Sequence, residues 1–142
     1  MSLTLRPGKP EDATICGTIC YDAFTTIAAQ HNFPSTYPSP EVAVARMVER
    51  LTHPGMYAVV AELDGQVVGS NFLDERSPIA GLGPITVAPT VQNRSVGRHL
   101  MQDVLDRIRS KIDAIPLYNI SLKCPDGLED ACDTSLESFA LG

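Results

Sequence analysis

Apolar positions along the chain change their spacing several times, and each change marks an element. Residues 3–6 read as a short strand closed by Pro7-Gly8. Pro10 stands where a first helical residue would, Glu11 and Asp12 fall in the first turn, and Ile15, Ile19, Ala23 and Ile27 recur every four residues, which predicts a first helix. After a loop rich in Pro and Ser (32–40), Ser39 can cap a second helix with Pro40 at its first position. Val44, Met47, Val48 and Leu51 supply its apolar stripe, and His53-Pro54-Gly55 ends it. Residues 57–63 and 66–73 are β-rich runs joined by Asp64-Gly65, the pair a two-residue type I′ turn favours because both positions need positive φ. Residues 82–88 form a further strand ended by Pro89. Residues 97–110 form a helix with the apolar face Leu100, Met101, Val104, Leu105 and Ile108, and Asp103 and Arg107 are an i, i+4 pair on its wet side. One more strand (117–123) and a last helix (128–140) complete the pattern. No internal repeat or low-complexity segment is present.

Composition narrows the class. The 142 residues suit one domain of α/β type, and 44% hydrophobic against 20% charged residues is ordinary globular composition, with a core that needs no metal or disulfide staple. The net charge is -6 and no basic run occurs, which argues against nucleic acid as a partner and leaves room for a local cationic site for a small anion. No stretch approaches the ~18 to 20 apolar residues of a membrane span, and the first ten residues hold no apolar signal core. A cytoplasmic protein with no membrane partner is expected. Cysteines stand at 16, 20, 124 and 132, the first two at i, i+4, and are expected as buried free thiols ahead of a disulfide or metal site. His31, His53 and His99 lack metal-like spacing, so no metal is expected. His53 reads as a helix C-terminal residue and His99 as a surface or packing residue.

One segment carries chemistry: Ile85-Thr86-Val87-Ala88-Pro89-Thr90-Val91-Gln92-Asn93-Arg94-Ser95-Val96-Gly97-Arg98, running from a strand through a tight loop into a helix start. The first helical turn exposes unpaired N–H groups and the positive end of the macrodipole, which suits a pyrophosphate. Arg94 and Arg98 add charge, and the small residues Ser95 and Gly97 admit an anion close to the backbone. The loop is not a Walker motif and lacks the three glycines of a dinucleotide fingerprint. Taken alone, a plain strand-to-helix connection is an equal reading.

The order strand, helix, helix, hairpin, strand, Gln-x-x-Ser-x-Gly loop, helix, strand, helix resembles the GCN5-related N-acetyltransferases (GNAT). Their motif Gln/Arg-x-x-Gly-x-Gly/Ala stands here as Gln92-Asn93-Arg94-Ser95-Val96-Gly97, preceded by the Val-x-Pro such proteins often carry, Val87-Ala88-Pro89. The resemblance spans about residues 3–142 and is strongest over 57–108. It implies a mixed, mostly antiparallel central sheet flanked by helices. It also implies acetyl-CoA as co-substrate and transfer of acetyl to a primary amine of a small molecule or peptide. The backbone of Ile85 and Val87 would pair with the pantetheine arm. Gln92, Asn93, Arg94, Ser95, Val96, Gly97 and Arg98 would form the pyrophosphate loop, and a bulge near Val87 would aim its N–H at the thioester carbonyl. Glu75 and Asp74 are the candidate general bases, with Glu62 a weaker one, and for each a solvated loop carboxylate is the commoner reading. Phe33 and Tyr37 lie in the loop that covers the acceptor in this family, and line its cleft or pack on the core. An acidic protein gives a mild expectation of a cationic acceptor.

Three departures bear on activity. Ser95 replaces the motif's first glycine. Phe139 stands where many relatives have a tyrosine that protonates the leaving thiolate, which leaves water or a hydroxyl such as Tyr118 for that task. The family continues with two more strands, so the resemblance implies a sheet that is C-terminally incomplete, one completed by a partner chain, or a different arrangement of residues 117–142, and an open edge would suit a homodimer. These departures favour an alternative, a degenerate relative that binds coenzyme A or a protein partner without catalysis. Gln92, Arg94, Gly97 and Arg98 oppose it. A phosphate-binding regulator that ignores the acyl group is a third reading.

Overall fold

In the computed structural model, which describes residues 2–92 and 94–114, the hairpin forms the middle of the sheet. Strand β1 is Leu3–Pro7, β2 is Met56–Leu63 and β3 is Gln66–Asp74, paired antiparallel in that order. The turn between β2 and β3 has Asp64 at φ 52° and Gly65 at φ 83°, the two positive values a type I′ turn requires. The expected strand over 82–88 is instead two short ones, β4 (Gly81–Leu82) and β5 (Thr86–Val87), both antiparallel to β3. Gly83 at φ 108° and Pro84, which follows a cis peptide bond and has no N–H to give a ladder, interrupt it.

Helix α1 (Ala13–Gln30) follows a single 3-10 turn at Pro10–Asp12, α2 is Pro40–Thr52 and α3 is Val96–Ala114. Ser39 caps α2 as expected, its side chain accepting from the Val42 N–H at 3.4 Å with Pro40 at the first position. The two sheet faces are both covered. On one, Val60 and Phe72 pack with Ala13, Cys16 and Cys20 of α1 and Met47 of α2. On the other, Val59, Ala61 and Leu73 pack with Val96, Leu100 and Val104 of α3. Burial on both faces is why β2 reads as a nearly unbroken apolar run.

The buried face of α1 differs from the expected stripe. Cys16 and Cys20 carry it, with Ala13, Ile19 and Ala23, while Ile15 and Ile27 are 42% and 50% exposed. Small residues win this face because α1 and α2 approach closely. A Cβ on Gly17 would lie 2.5 Å from the Val44 Cα. Burial pushes the Cys16 thiol up to about 11 and raises that of Cys20, so both are inert packing groups.

Asp103 and Arg107, expected as a surface pair on α3, face the sheet. The Tyr57 hydroxyl donates to Asp103, and the Arg107 guanidinium lies over the Tyr57 ring, 4.2 Å from its centroid. The chain divides into two compact units, Met1–Arg109 and Ser110–Gly142. The expected strand over 117–123 and helix over 128–140 lie outside the described residues, as do Cys124, Cys132, Tyr118 and Phe139. No described helix is long and apolar enough to cross a membrane.

Candidate active site

The site grows from β5. Its N–H and C=O groups alternate in direction along the strand. The Ala88 N–H donates to the Val68 carbonyl at 2.7 Å, and Thr86 and Val87 stand opposite Ser70 and Gly69. The backbone of Val87, and of Ile85 two residues earlier, therefore points away from β3. The pairing of β5 with β3 at Val87 shows no register shift, and a bulge lies instead between β2 and β3. Ala61 faces Gly69 and Glu62 faces Val67, which leaves Val68 of β3 as the extra residue. Gly69 permits this crowding, since a Cβ there would lie 2.8 Å from the Thr86 carbonyl oxygen.

Past β5 the chain makes a 3-10 turn at Pro89–Val91 and returns toward the strand. The Gln92 side-chain amide donates to the Val87 carbonyl at 3.3 Å, bracing the loop against the strand. The Arg94 N–H donates to the Val91 carbonyl at 3.2 Å, and Ser95 then takes φ 62°. That left-handed value accounts for the glycine that the resembled motif carries here. The Ser95 carbonyl accepts from the His99 N–H at 3.2 Å, the first intrahelical bond of α3, with the His99 ring Nδ1 2.8 Å from the same oxygen. The amides of Val96, Gly97 and Arg98 are thereby left without an intrahelical acceptor, as at any helix start.

The seven loop residues fall into different roles. Arg94, Ser95 and Arg98 are exposed, whereas the Val96 side chain is buried in the core, so only its backbone can meet a ligand. Asn93 lies outside the described residues. A Cβ on Gly97 would meet only Val87 Cγ2, at 3.7 Å. No packing among the described residues demands glycine there, and what its missing side chain opens is space beside β5.

That space is a cavity of about 330 Å³, within the range of small-molecule sites. Ile85, Thr86 and Val87 form one wall, Ala23, Phe24 and Ile27 of α1 another, and Gln92 and Gly97 close it. Ile27, turned away from the main core, has its place here. The structure thus unites Ile85, Val87, Gln92 and Gly97, which the motif nominated, with four residues it did not. Thr86 could have been found from its place between Ile85 and Val87, and of the α1 residues Ala23 and Ile27 belong to the predicted apolar stripe while Phe24 carries no signal. Phe24 in turn stacks edge-to-face on Tyr37, 5.7 Å between centroids, and Tyr37 packs on the core. Phe33 is 68% exposed and stacks on His31.

The structure does not bring Glu75 or Asp74 to this cavity. Asp74 stands opposite Gly81 and Val87 opposite Gly69, so Asp74 lies five positions along β3 from the Val87 register, about 17 Å at the rise of a strand. The Asp74 carboxylate accepts from Arg76 Nε at 2.8 Å, which pulls its pKa down to about 2 and makes it a weak base. Glu75 accepts from Arg107 at 2.7 Å on the α3 side of the sheet. Glu62 is bonded to Arg6 at 2.6 Å. Among the described residues, no group of His, Cys, Asp and Glu is arranged to hold a metal ion.

A strand, a tight turn and a helix start thus stand beside a cavity against α1. The profile of the Acetyltransferase (GNAT) family matches residues 22–122, and the chain belongs to that family. Among curated proteins, none matches the sequence. Among solved structures it is similar to a GNAT family acetyltransferase from Brucella melitensis in complex with acetyl-CoA, at 27% identity and TM-score 0.59, covering 78% of this chain and 70% of that one. It shares its fold with an acetyltransferase from Thermus thermophilus, at 21% identity and TM-score 0.56 over 81% of this chain and 72% of that one. The PaiA N-acetyltransferase from Thermoplasma acidophilum in complex with coenzyme A also shares the fold, at 16% identity and TM-score 0.55, with 78% and 74% covered.

Proposed function

We propose that the chain binds acetyl-CoA along β5 and at the start of α3, and transfers the acetyl group to a primary amine. The observation that carries this reading is the cavity between β5 and α1, walled by the strand whose outward backbone is unpaired with β3 and opened by Gly97. Membership of the GNAT family and the acetyl-CoA complex of the Brucella relative support it. The outward groups of Ile85 and the outward N–H of Val87, whose carbonyl Gln92 holds, take the pantetheine arm as an added strand would be held. The amides of Val96, Gly97 and Arg98 and the guanidinium groups of Arg94 and Arg98 take the pyrophosphate. Acetyl-CoA, when bound, supplies an activated thioester, so that the amine nitrogen gains the acetyl group and the coenzyme leaves as a thiol. The apolar α1 wall excludes water from that exchange, and favours an acceptor that enters as the neutral amine.

One observation favours the second reading, coenzyme binding without transfer. No carboxylate or histidine stands among the described residues of the cavity wall, and Glu75 and Asp74 are committed to arginines elsewhere. A panel of primary amines (polyamines, amino acids, aminoglycosides, lysine peptides), assayed for free thiol released from acetyl-CoA, separates the two. Amine-dependent thiol release supports transfer. Saturable acetyl-CoA binding with no release above the rate in buffer supports binding alone.

A further inference from the structure

Thr86 sits at the centre of the cavity's β5 wall, between the two residues whose backbones face outward, and is 4% exposed. Its hydroxyl has no hydrogen-bond partner among the described residues. A buried hydroxyl left unpaired is unfavourable, and a valine of the same shape would pack there without that loss. Ser70, opposite it on β3, carries another buried hydroxyl without a partner, so the two are not bonded to each other, and Ala23, Phe24 and Ile27 present only hydrocarbon across the cavity. A ligand in the cavity can bring the partner that the described residues do not.

We propose that the Thr86 hydroxyl donates a hydrogen bond to the thioester carbonyl of the bound acyl-coenzyme A, which makes Thr86 a recognition residue for the acyl group itself. This rests on the acetyl-CoA reading above. The chemistry of the wall selects the partner. A charged ammonium would be stranded among apolar side chains with no carboxylate beside it, whereas a carbonyl oxygen is neutral and is an acceptor only. The position agrees, because an arm laid along Ile85 and Val87 passes Thr86. A step between staggered χ1 rotamers redirects the hydroxyl without backbone movement. In a wall that excludes water, such a donor strengthens as negative charge grows on the carbonyl oxygen.

The test is calorimetric titration of the full chain and its Thr86→Val and Thr86→Ser variants with acetyl-CoA and with S-ethyl-coenzyme A, a thioether of nearly the same shape that lacks the carbonyl. Wild type should bind acetyl-CoA about tenfold more tightly than the thioether. Thr86→Val should lose that preference through weaker acetyl-CoA binding alone, melt no lower than wild type, and have its preference restored by serine. Equal acetyl-CoA affinity in wild type and Thr86→Val overturns the proposal and leaves the coenzyme site standing. Should Thr86→Val not fold, a Thr86→Ser variant with no preference overturns it equally. Wild type that binds neither ligand overturns the coenzyme reading and this proposal with it.

Discussion

The side-chain amide of Gln92 reaches back across the turn at Pro89–Val91 to the carbonyl of Val87, at 3.3 Å. One residue thereby ties the loop that presents the α3 amides to the strand that lines the cavity. Gln92→Ala removes that tie from an exposed position, so it should weaken acetyl-CoA binding by about 0.5 to 1.5 kcal/mol and leave the melting temperature nearly unchanged. Calorimetry beside a thermal melt checks it. An unchanged affinity would mean the loop holds its shape without Gln92.

Ser95 occupies the left-handed region at φ 62°, where a Cβ is unfavourable by about 1 to 2 kcal/mol and glycine is not. Glycine also loses more chain entropy on folding, so the net gain from Ser95→Gly is up to about 1 kcal/mol. The variant should melt a few degrees higher and bind acetyl-CoA at least as well as wild type. A lower melting temperature would show that the serine side chain makes a contribution larger than its backbone strain.

Gly97 tests the cavity sterically. Because its added Cβ meets, among the described residues, only Val87 Cγ2 at 3.7 Å, Gly97→Val should fold normally while its side chain occupies the space beside β5. Loss of acetyl-CoA affinity of at least tenfold is expected, about 1.4 kcal/mol or more. Wild-type affinity in the folded variant would remove Gly97 from the site.

Much of this was legible in the sequence, for local reasons. Asp64-Gly65 specifies its own turn, Ser39-Pro40 its own helix start, and the run from Val87 to Arg98 its own strand, loop and helix. What was not legible depends on distant contacts. Cys16, Cys20 and Gly17 displace Ile15 from the buried face of α1 because α2 lies too close for large side chains, and nothing in α1 records where α2 will pack. The strand over 82–88 is interrupted at Gly83-Pro84, a pair visible in the sequence. Glu75 and Asp74 drew notice by following a strand near the motif. Antiparallel pairing, however, puts that end of β3 opposite Gly81 and away from Val87. Phe24 and Ile27 became cavity residues only through the docking of α1 on β5.

Away from the site, Asp12 anchors the start of α1. It is 7% exposed and accepts from Arg6 at 2.8 and 2.9 Å and from the Lys9 N–H at 2.8 Å. The Arg6 bonds are the main cause that holds its carboxyl below the usual value. A depressed folded value means the unfolded state takes up the proton first as pH falls. The stabilisation is thus complete above an ordinary carboxylate pKa of ~3.9 and is lost as pH drops through the folded value. Asp12→Asn should be less stable at pH 7 by about 2 kcal/mol, and that gap should narrow in acid. Urea midpoints at pH 7 and pH 3 measure both. A gap that stays constant would contradict a charge-based role.

The central claim is that β5, the following loop and the first turn of α3 form an acyl-coenzyme A site. Titration of the folded chain with acetyl-CoA, with an Arg98→Ala variant alongside, addresses it most directly. Micromolar, one-to-one binding is expected, weakened in the variant by about 1 to 3 kcal/mol through loss of a charge-assisted phosphate contact. Folded wild-type protein that gives no heat of binding with acetyl-CoA, and no protection of its melting transition, would contradict the account.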